Sequence, residues 1–263
     1  MPFAEAGLEK LARETRKTLL LLHSRAGTSH IGSAFSSVEI LVSLHNGILA
    51  KEDVFILSKG HAASALYAVW DSCKIGGAPL DGYCRDGGVL HGHPDRLRCP
   101  GVAASTGSLG HGIPIGAGIA FARKRDAKKG RIFVLASDGE LQEGSVWEAA
   151  ASAGRLGLDN LAVIVDANGL QAFEHTENIM PFSTLEPKFL AFGCAVETVD
   201  GHDFGQLAKA LGAVPFAPGK PSVILAKTVK GKGIKEFEGK LEWHYKSPAA
   251  ADLERYLLEL EET

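Results

Sequence analysis

No apolar run in the sequence reaches the roughly 18 residues that a membrane-crossing helix needs, so no membrane partner is expected. There is no surplus of positive charge either. The formal net charge is −3, which argues against nucleic acid as a ligand. Cysteine is scarce: Cys73, Cys84, Cys99 and Cys194 include no CxxC pair, which removes the redox-pair and zinc-ribbon readings. Cys84, His91, His93 and Cys99 share one polar stretch, but their spacing matches no standard zinc pattern. The N-terminus, MPFAEAGLEKLARETRKTLLLL, lacks a signal-peptide core and cleavage site, and reads as an amphipathic surface helix of a cytoplasmic protein. What remains is an ordinary globular composition, 45% apolar, enough for a sizeable core. No repeat, low-complexity tract or linker divides the chain, so residues 1–263 are expected to form one domain.

Two kinds of apolar segment alternate along it. Short β-branched runs predict buried strands at 54–57, 132–136, 161–166, 195–199 and 222–227. Helical patterns are expected at 5–25, 36–46, 62–74, 146–156, 204–211 and 249–261. Strands buried on both faces and alternating with helices predict an α/β fold, a mostly parallel sheet with helices on both faces. Ligands then bind at the carboxyl ends of the strands. Glycine gathers in loops, among them STGSLGHGIPIGAG, and the stretch from Ile75 to Val102 has little periodicity. A loop of that length inside a compact domain is usually functional.

One stretch poses a chemical question. After the run RIFVLA comes SDGELQEG, then an alanine-rich helical pattern. A strand-to-helix turn is where phosphate is commonly held, yet this one carries Asp138, Glu140 and Glu143. A second turn, DANGLQ at 166–171, also follows a buried strand. If the two strands are neighbours, Asp138 and Asn168 lie side by side at the sheet's carboxyl edge. With a nearby backbone carbonyl they would form a half-shell of hard oxygens suited to magnesium, which is commonly shared with phosphates. The acid would bind the metal, and the metal a diphosphate. Each turn alone is ordinary: Asp-Gly caps helices and Asn-Gly makes turns.

An Asp-Gly after a strand, followed some thirty residues later by Asn in a DxNG turn, resembles the thiamine-diphosphate fingerprint. The whole chain resembles the N-terminal half of transketolases. RAGTSHIGSAFSSVEILVSLH is similar to the family's SGHPG segment, FILSKGHAASALYAVW to its SKGHA stretch, and HGHPD to GHPE. STGSLGHGIPIGAGIAFA resembles TTGPLGQG, and EWHYKSP resembles the WHGKAP-type segment of split transketolases. These blocks run in family order from about residue 20 to 250.

The resemblance implies a thiamine-diphosphate-binding fold of the diphosphate-binding type. It implies magnesium ligands at Asp138, Asn168 and the Leu170 carbonyl, with Gly139 and His61 at the diphosphate. Gly107, Ser108 and Leu109 would meet the aminopyrimidine. His30 and His93 would serve substrate hydroxyls, and His244 both diphosphate and substrate. Glu143 matches a glutamate at a contact between subunits, and a helix-start acid is an equally good reading. Histidines poised near neutral pH would shuttle protons, while His91 and His111 are read as bystanders. The activity implied is transfer of a two-carbon ketol unit from a ketose to an aldose, on small sugar or sugar-phosphate substrates. The pyrimidine-binding domain of a full transketolase would lie on a separate C-terminal subunit, in an α2β2 assembly, and this chain alone would be inactive.

Three departures mark a diverged member: Ser137 for the first Gly of GDG, His111 for the Gln of LGQG, and Ile31 for the proline after the histidine. Competing readings are another thiamine-dependent ligase or lyase, a nucleotide-binding oxidoreductase, and a non-catalytic subunit. The GSLGHGIPIGAG stretch follows no predicted strand and its GHGIPIG is not GxGxxG, which weighs against the oxidoreductase.

Overall fold

The computed structural model describes residues 5–262. Its five strands are β1 (Val54–Leu57), β2 (Ile132–Ser137), β3 (Leu161–Ala167), β4 (Ala195–Asp200) and β5 (Ser222–Lys227). They form one sheet in the order β1-β2-β3-β5-β4, and every pairing is parallel. All five predicted strands are therefore present, at nearly the predicted bounds. The sequence pattern could not show that β5 inserts between β3 and β4.

Helices cover both faces. Alternate residues of the central strands enter two separate cores, as the period of two along a strand requires. Leu57, Phe133, Leu135, Ala162, Ile164 and Ile224 pack with α1 (Glu5–Ala26), α2 (Ile31–Ser36), α3 (Val38–Ser43), α4 (Ala63–Ser72), α8 (Phe204–Gly212) and α9 (Leu253–Glu261). Ile56, Ile132, Val134, Leu161, Val163 and Val165 pack with α5 (Gly112–Arg125), α6 (Gly144–Arg155) and α7 (Leu185–Ala191). The predicted α/β class is the observed one.

The first helix is amphipathic as expected: Leu19, Leu20 and Leu22 are buried and it packs against α3, α4 and α9, while Glu9, Lys10, Glu14 and Leu21 are exposed. Two other helical expectations need correction. The predicted helix at 36–46 is only the short α3, set off from α2 at Ser37 and followed by a turn in which Gly47 has φ of 137°. The glycine-rich stretch read as loop contains α5. Its glycines serve close packing: a Cβ on Gly116 would lie 2.5 Å from Val134 Cγ2, and one on Gly112 would lie 2.2 Å from Ser58 Oγ. Low helix propensity is outweighed there by the approach of the helix to the sheet. Among the described residues, no helix is long and apolar enough to cross a membrane.

The segment from Ile75 to Val102 has one short helical turn, Leu80–Gly82. Buried Tyr83, Leu90 and Cys99 pin it to the body, and the Cys84 N–H donates to the Leu90 carbonyl at 2.9 Å. Anchored so, the segment returns His93 over the carboxyl edge of the sheet.

Two glycine substitutions separate packing from backbone entropy. In Gly154→Ala the new methyl would meet the Phe192 carbonyl at 1.8 Å, and a loss of about 1–3 kcal/mol is expected from overpacking. Gly118→Ala, inside α5 with nothing within 4 Å, should gain about 0.5–1 kcal/mol. Urea unfolding midpoints that move in the same direction for both variants would contradict this account of the packing.

Candidate active site

At the carboxyl edge of the sheet the turns after β1, β2, β3 and β5 converge. The register pairs Ser137 of β2 with Asp166 of β3, so Asp138 and Asn168 emerge side by side, as the two-turn argument requires. Beneath them lies an ion pair with both side chains fully buried: Lys59, just after β1, with Asp166. Lys59 also donates to the Ser33 carbonyl at 2.9 Å. Asp166 accepts from Ser36 Oγ at 2.6 Å and from Thr228 Oγ1. Burial alone would raise the Asp166 pKa, but Lys59 and these donors hold it below the ordinary value.

Asp138 sits above that pair. Its Oδ1 accepts from the Gly139 N–H at 2.9 Å, and Oδ2 from the Gly169 N–H at 2.8 Å and Thr176 Oγ1 at 3.1 Å. Burial, reinforced by the charge on Asp166, nevertheless pushes its pKa up to about 6. A nearby cation would reverse that shift. Asn168 Oδ1 accepts from the Leu170 N–H at 3.1 Å, while Nδ2 donates to Ser36 Oγ at 3.3 Å. Among the described residues no three of His, Cys, Asp and Glu converge to hold a metal ion. A cation at this edge would rely on amide and carbonyl oxygens beside the Asp138 carboxylate.

Four histidines from distant segments meet over this edge. Ring centroids of His30 lie 4.7 Å from His244, 5.5 Å from His61 and 6.4 Å from His93. With Gly107, Leu109, Asp138, Gly139, Glu143, Asn168 and Leu170 they line a cavity of about 390 Å³. Ser108 is exposed and lies outside the wall. Glu143 is an exposed N-terminal residue of α6 whose side chain makes no capping bond. His30 has φ of 72°, an uncommon conformation for a residue with a side chain and one that gathers at functional sites. Its N–H is fixed by the His244 carbonyl at 3.0 Å. A slightly larger hollow, about 420 Å³, is lined by Phe55 and Trp70 among others and holds none of the predicted site residues.

The histidines are not poised near neutrality, contrary to expectation. Burial first, then the neighbouring His93 and Lys230, lowers His30 to about 4. Burial and Lys230 lower His244 to about 3. Burial and Lys59 take His61 well down, and burial also lowers His93. Crowded cationic neighbours and desolvation both oppose the imidazolium form, so at pH 7 these rings are neutral hydrogen-bond partners.

Sequence reasoning passed over Lys59, Asp166 and Lys230. Lys230 is fully buried, donates to His244 Nδ1 at 2.9 Å, and burial lowers its pKa to about 8. An ammonium can only donate, so His244 accepts at Nδ1 and carries its proton on Nε2. A lysine placed immediately after an apolar strand, as in ILSK, was the available signal. His111, read as a bystander, places Nδ1 3.1 Å from the Ser108 carbonyl and so contacts the 107–110 loop. Ser137 needs no positive φ, and the change from glycine is accommodated.

Residues 23–256 match the sequence model of the family described as transketolase, thiamine diphosphate binding domain. The chain is 38% identical to an apulose-4-phosphate transketolase subunit of Actinobacillus succinogenes, covering 97% of this chain and 96% of that one. It is also 38% identical to the 6-deoxy-6-sulfo-D-fructose transketolase subunit SqwG of a Clostridium species, over 90% of each chain. The transketolase of Leishmania mexicana superposes with a TM-score of 0.89 at 26% identity over 97% of this chain, which spans 41% of that larger protein. The chain therefore belongs to the transketolase family, as a thiamine-diphosphate-binding subunit of the split type.

Proposed function

We propose that this chain holds thiamine diphosphate through magnesium and, joined to a second polypeptide, transfers a two-carbon ketol unit from a ketose to an aldose. The observation that carries the reading is the meeting of four motif histidines over adjacent Asp138 and Asn168 in one cavity. Asp138, Asn168 Oδ1 and the Leu170 carbonyl are the magnesium ligands in this reading, a hard-oxygen set that suits the ion. The cavity fits an anion as well. Two of its lining residues, Gln142 and Gln171, have buried Nε2 atoms with no hydrogen-bond partner, and buried donors of this kind call for acceptors. At Gly139 a Cβ would lie 3.0 Å from Gln171 Cβ, so the bare glycine keeps the turn open where the diphosphate would approach.

Bound there, the cofactor supplies a nucleophilic carbon able to carry the two-carbon unit between donor and acceptor. The chain's own groups bind and orient. His61 and the Nε2–H of His244 donate toward the diphosphate. His30 and His93, neutral at pH 7, hydrogen-bond substrate hydroxyls and can accept a proton as negative charge accumulates nearby. Gly107 and Leu109, which line the cavity, offer backbone groups to the aminopyrimidine. Glu143, exposed at the start of α6, makes a contact between subunits in this reading. The relatives from Actinobacillus and Clostridium are each named as one subunit of a transketolase. Those names support a partner polypeptide bearing the pyrimidine-binding domain, and we assign an α2β2 complex. The substrates proposed are small sugars or sugar phosphates, as the same names suggest, and the setting cytoplasmic, which suits four free thiols.

Asp138→Ala in the assembled complex should weaken magnesium-dependent thiamine diphosphate binding at least as much as the roughly 10- to 100-fold typical of outer-shell ligand partners. Calorimetric titration measures this directly, and an unchanged dissociation constant would refute the metal assignment. His93→Ala should keep cofactor affinity while turnover falls roughly a hundredfold or more. A variant with normal turnover on a ketose–aldose pair would remove His93 from the substrate site.

A further inference from the structure

Glu140 is fully buried, at 0% exposure, two residues beyond Asp138. A carboxylate placed there must find donors or forfeit its solvation, and three segments supply them. Ser58 Oγ, after β1 and three residues before His61, donates to Oε1. The Gly110 N–H donates to the same oxygen at 2.9 Å. The Ser137 N–H, at the end of β2, faces Oε2 at 3.4 Å. The other side of the Gly110 peptide unit is gripped as well, since Ser145 Oγ donates to the Gly110 carbonyl at 2.8 Å. One short segment, 140–145, thus holds Gly110 by its donor and its acceptor.

That grip has a consequence for the neighbouring loop. Gly110 has φ of 81°, and a Cβ on it would meet Ser145 Oγ at 2.5 Å and Glu143 Cβ at 2.6 Å, so the loop end has no room to shift toward α6. At the other end the loop lies tight on Gly60, where a Cβ would be 2.7 Å from the Gly107 nitrogen. Residues 107–109 are strung between these two fixed points. We propose that Glu140 is a positioning residue that holds the 107–110 loop in register with the diphosphate-binding turn at Asp138 and Gly139. The inference rests on the cofactor reading given above. Glu140 touches no ligand; it sets the distance between the loop that meets the aminopyrimidine and the turn that meets the diphosphate.

Its test compares two ligands that differ in what they ask of the loop. Thiamine diphosphate with Mg²⁺ needs both loop and turn, whereas inorganic pyrophosphate with Mg²⁺ needs the turn alone. In the assembled complex, Glu140→Ala should weaken thiamine diphosphate roughly ten- to hundredfold, the range for losing hydrogen bonds to a charged group. Pyrophosphate affinity should stay within about twofold. Glu140→Gln keeps an accepting oxygen for Ser58 and Gly110 but turns an amide N–H toward the Ser137 N–H, so the same selective loss should shrink to about threefold. If the alanine variant does not fold, the glutamine variant carries the comparison. Equal losses for both ligands would make Glu140 a merely structural residue and overturn the proposal, as would no loss for either. A wild-type complex that binds neither ligand would instead sink the cofactor reading itself.

Discussion

The buried ion pair of Lys59 and Asp166 fixes where four segments of chain end. Asp166 closes β3, Lys59 follows β1, and Ser36 and Thr228 bring the end of α2 and the exit of β5 onto the same carboxylate. The pair reaches across the end of β2, so the Asp138 turn rises directly above it. Desolvating two charges is expensive, and buried pairs are often no more stabilising than apolar replacements of equal volume. The benefit is in position. Ser36 Oγ, which donates to Asp166, also accepts from Asn168 Nδ2, so the orientation of the Asn168 amide is set by the same pair. Removing one partner alone would strand the other charge in the core, at a cost of about 3–5 kcal/mol, and would release all four segments together.

Above this floor the charges are balanced without being neutralised in contact. Asp138 is lifted by burial and by Asp166, while burial depresses all four histidines and cationic neighbours add to it at His30, His61 and His244. Opposite shifts in one cavity suit a ligand that brings a cation to Asp138 and negative charge to the rings. A divalent metal carrying a diphosphate supplies both signs at once. This answers why a strand-to-helix turn of the kind that usually cradles phosphate is acidic. The lowered proton affinity of the histidines is consistent with it, since negative charge brought beside the rings would raise that affinity.

The strands were legible in the sequence because each is a short run rich in β-branched or apolar residues, most plainly IFVLAS and LAVIVDA, which are buried throughout. The adjacency of β2 and β3 could be argued from the matched turns, and with it the pairing of Asp138 with Asn168. Much of the rest was not legible. Helix α5 was hidden by its glycines, whose value lies in contact with Ser58 and Val134 and appears only once the sheet exists. The second layer of the site, Lys59, Asp166, Lys230 and Glu140, was hidden because charge reads as surface in a linear pattern. Burial of these groups depends on partners 14 to 107 residues away, a separation no local periodicity encodes. The histidines stood out because short motifs carry them. Their electrostatic state did not, because it follows from neighbours supplied by other segments.

Two of the three departures from the family pattern, Ser137 and His111, fit together once the geometry is known. Ser137, in place of glycine, needs no left-handed backbone, and its hydroxyl accepts from the Glu140 N–H at 3.3 Å while its own N–H faces Glu140 Oε2. The serine and the buried glutamate therefore complete each other, and a glycine at 137 would leave the Glu140 N–H without that acceptor. His111 works on the same loop from outside, with Nδ1 near the Ser108 and Leu109 carbonyls, while Glu140 and Ser145 hold Gly110 from inside. Substitutions that look like drift when read one at a time thus converge on a single short loop. The constraint they share is geometric: the loop must stand at one height above the diphosphate turn, and in this chain side chains from both faces hold it there.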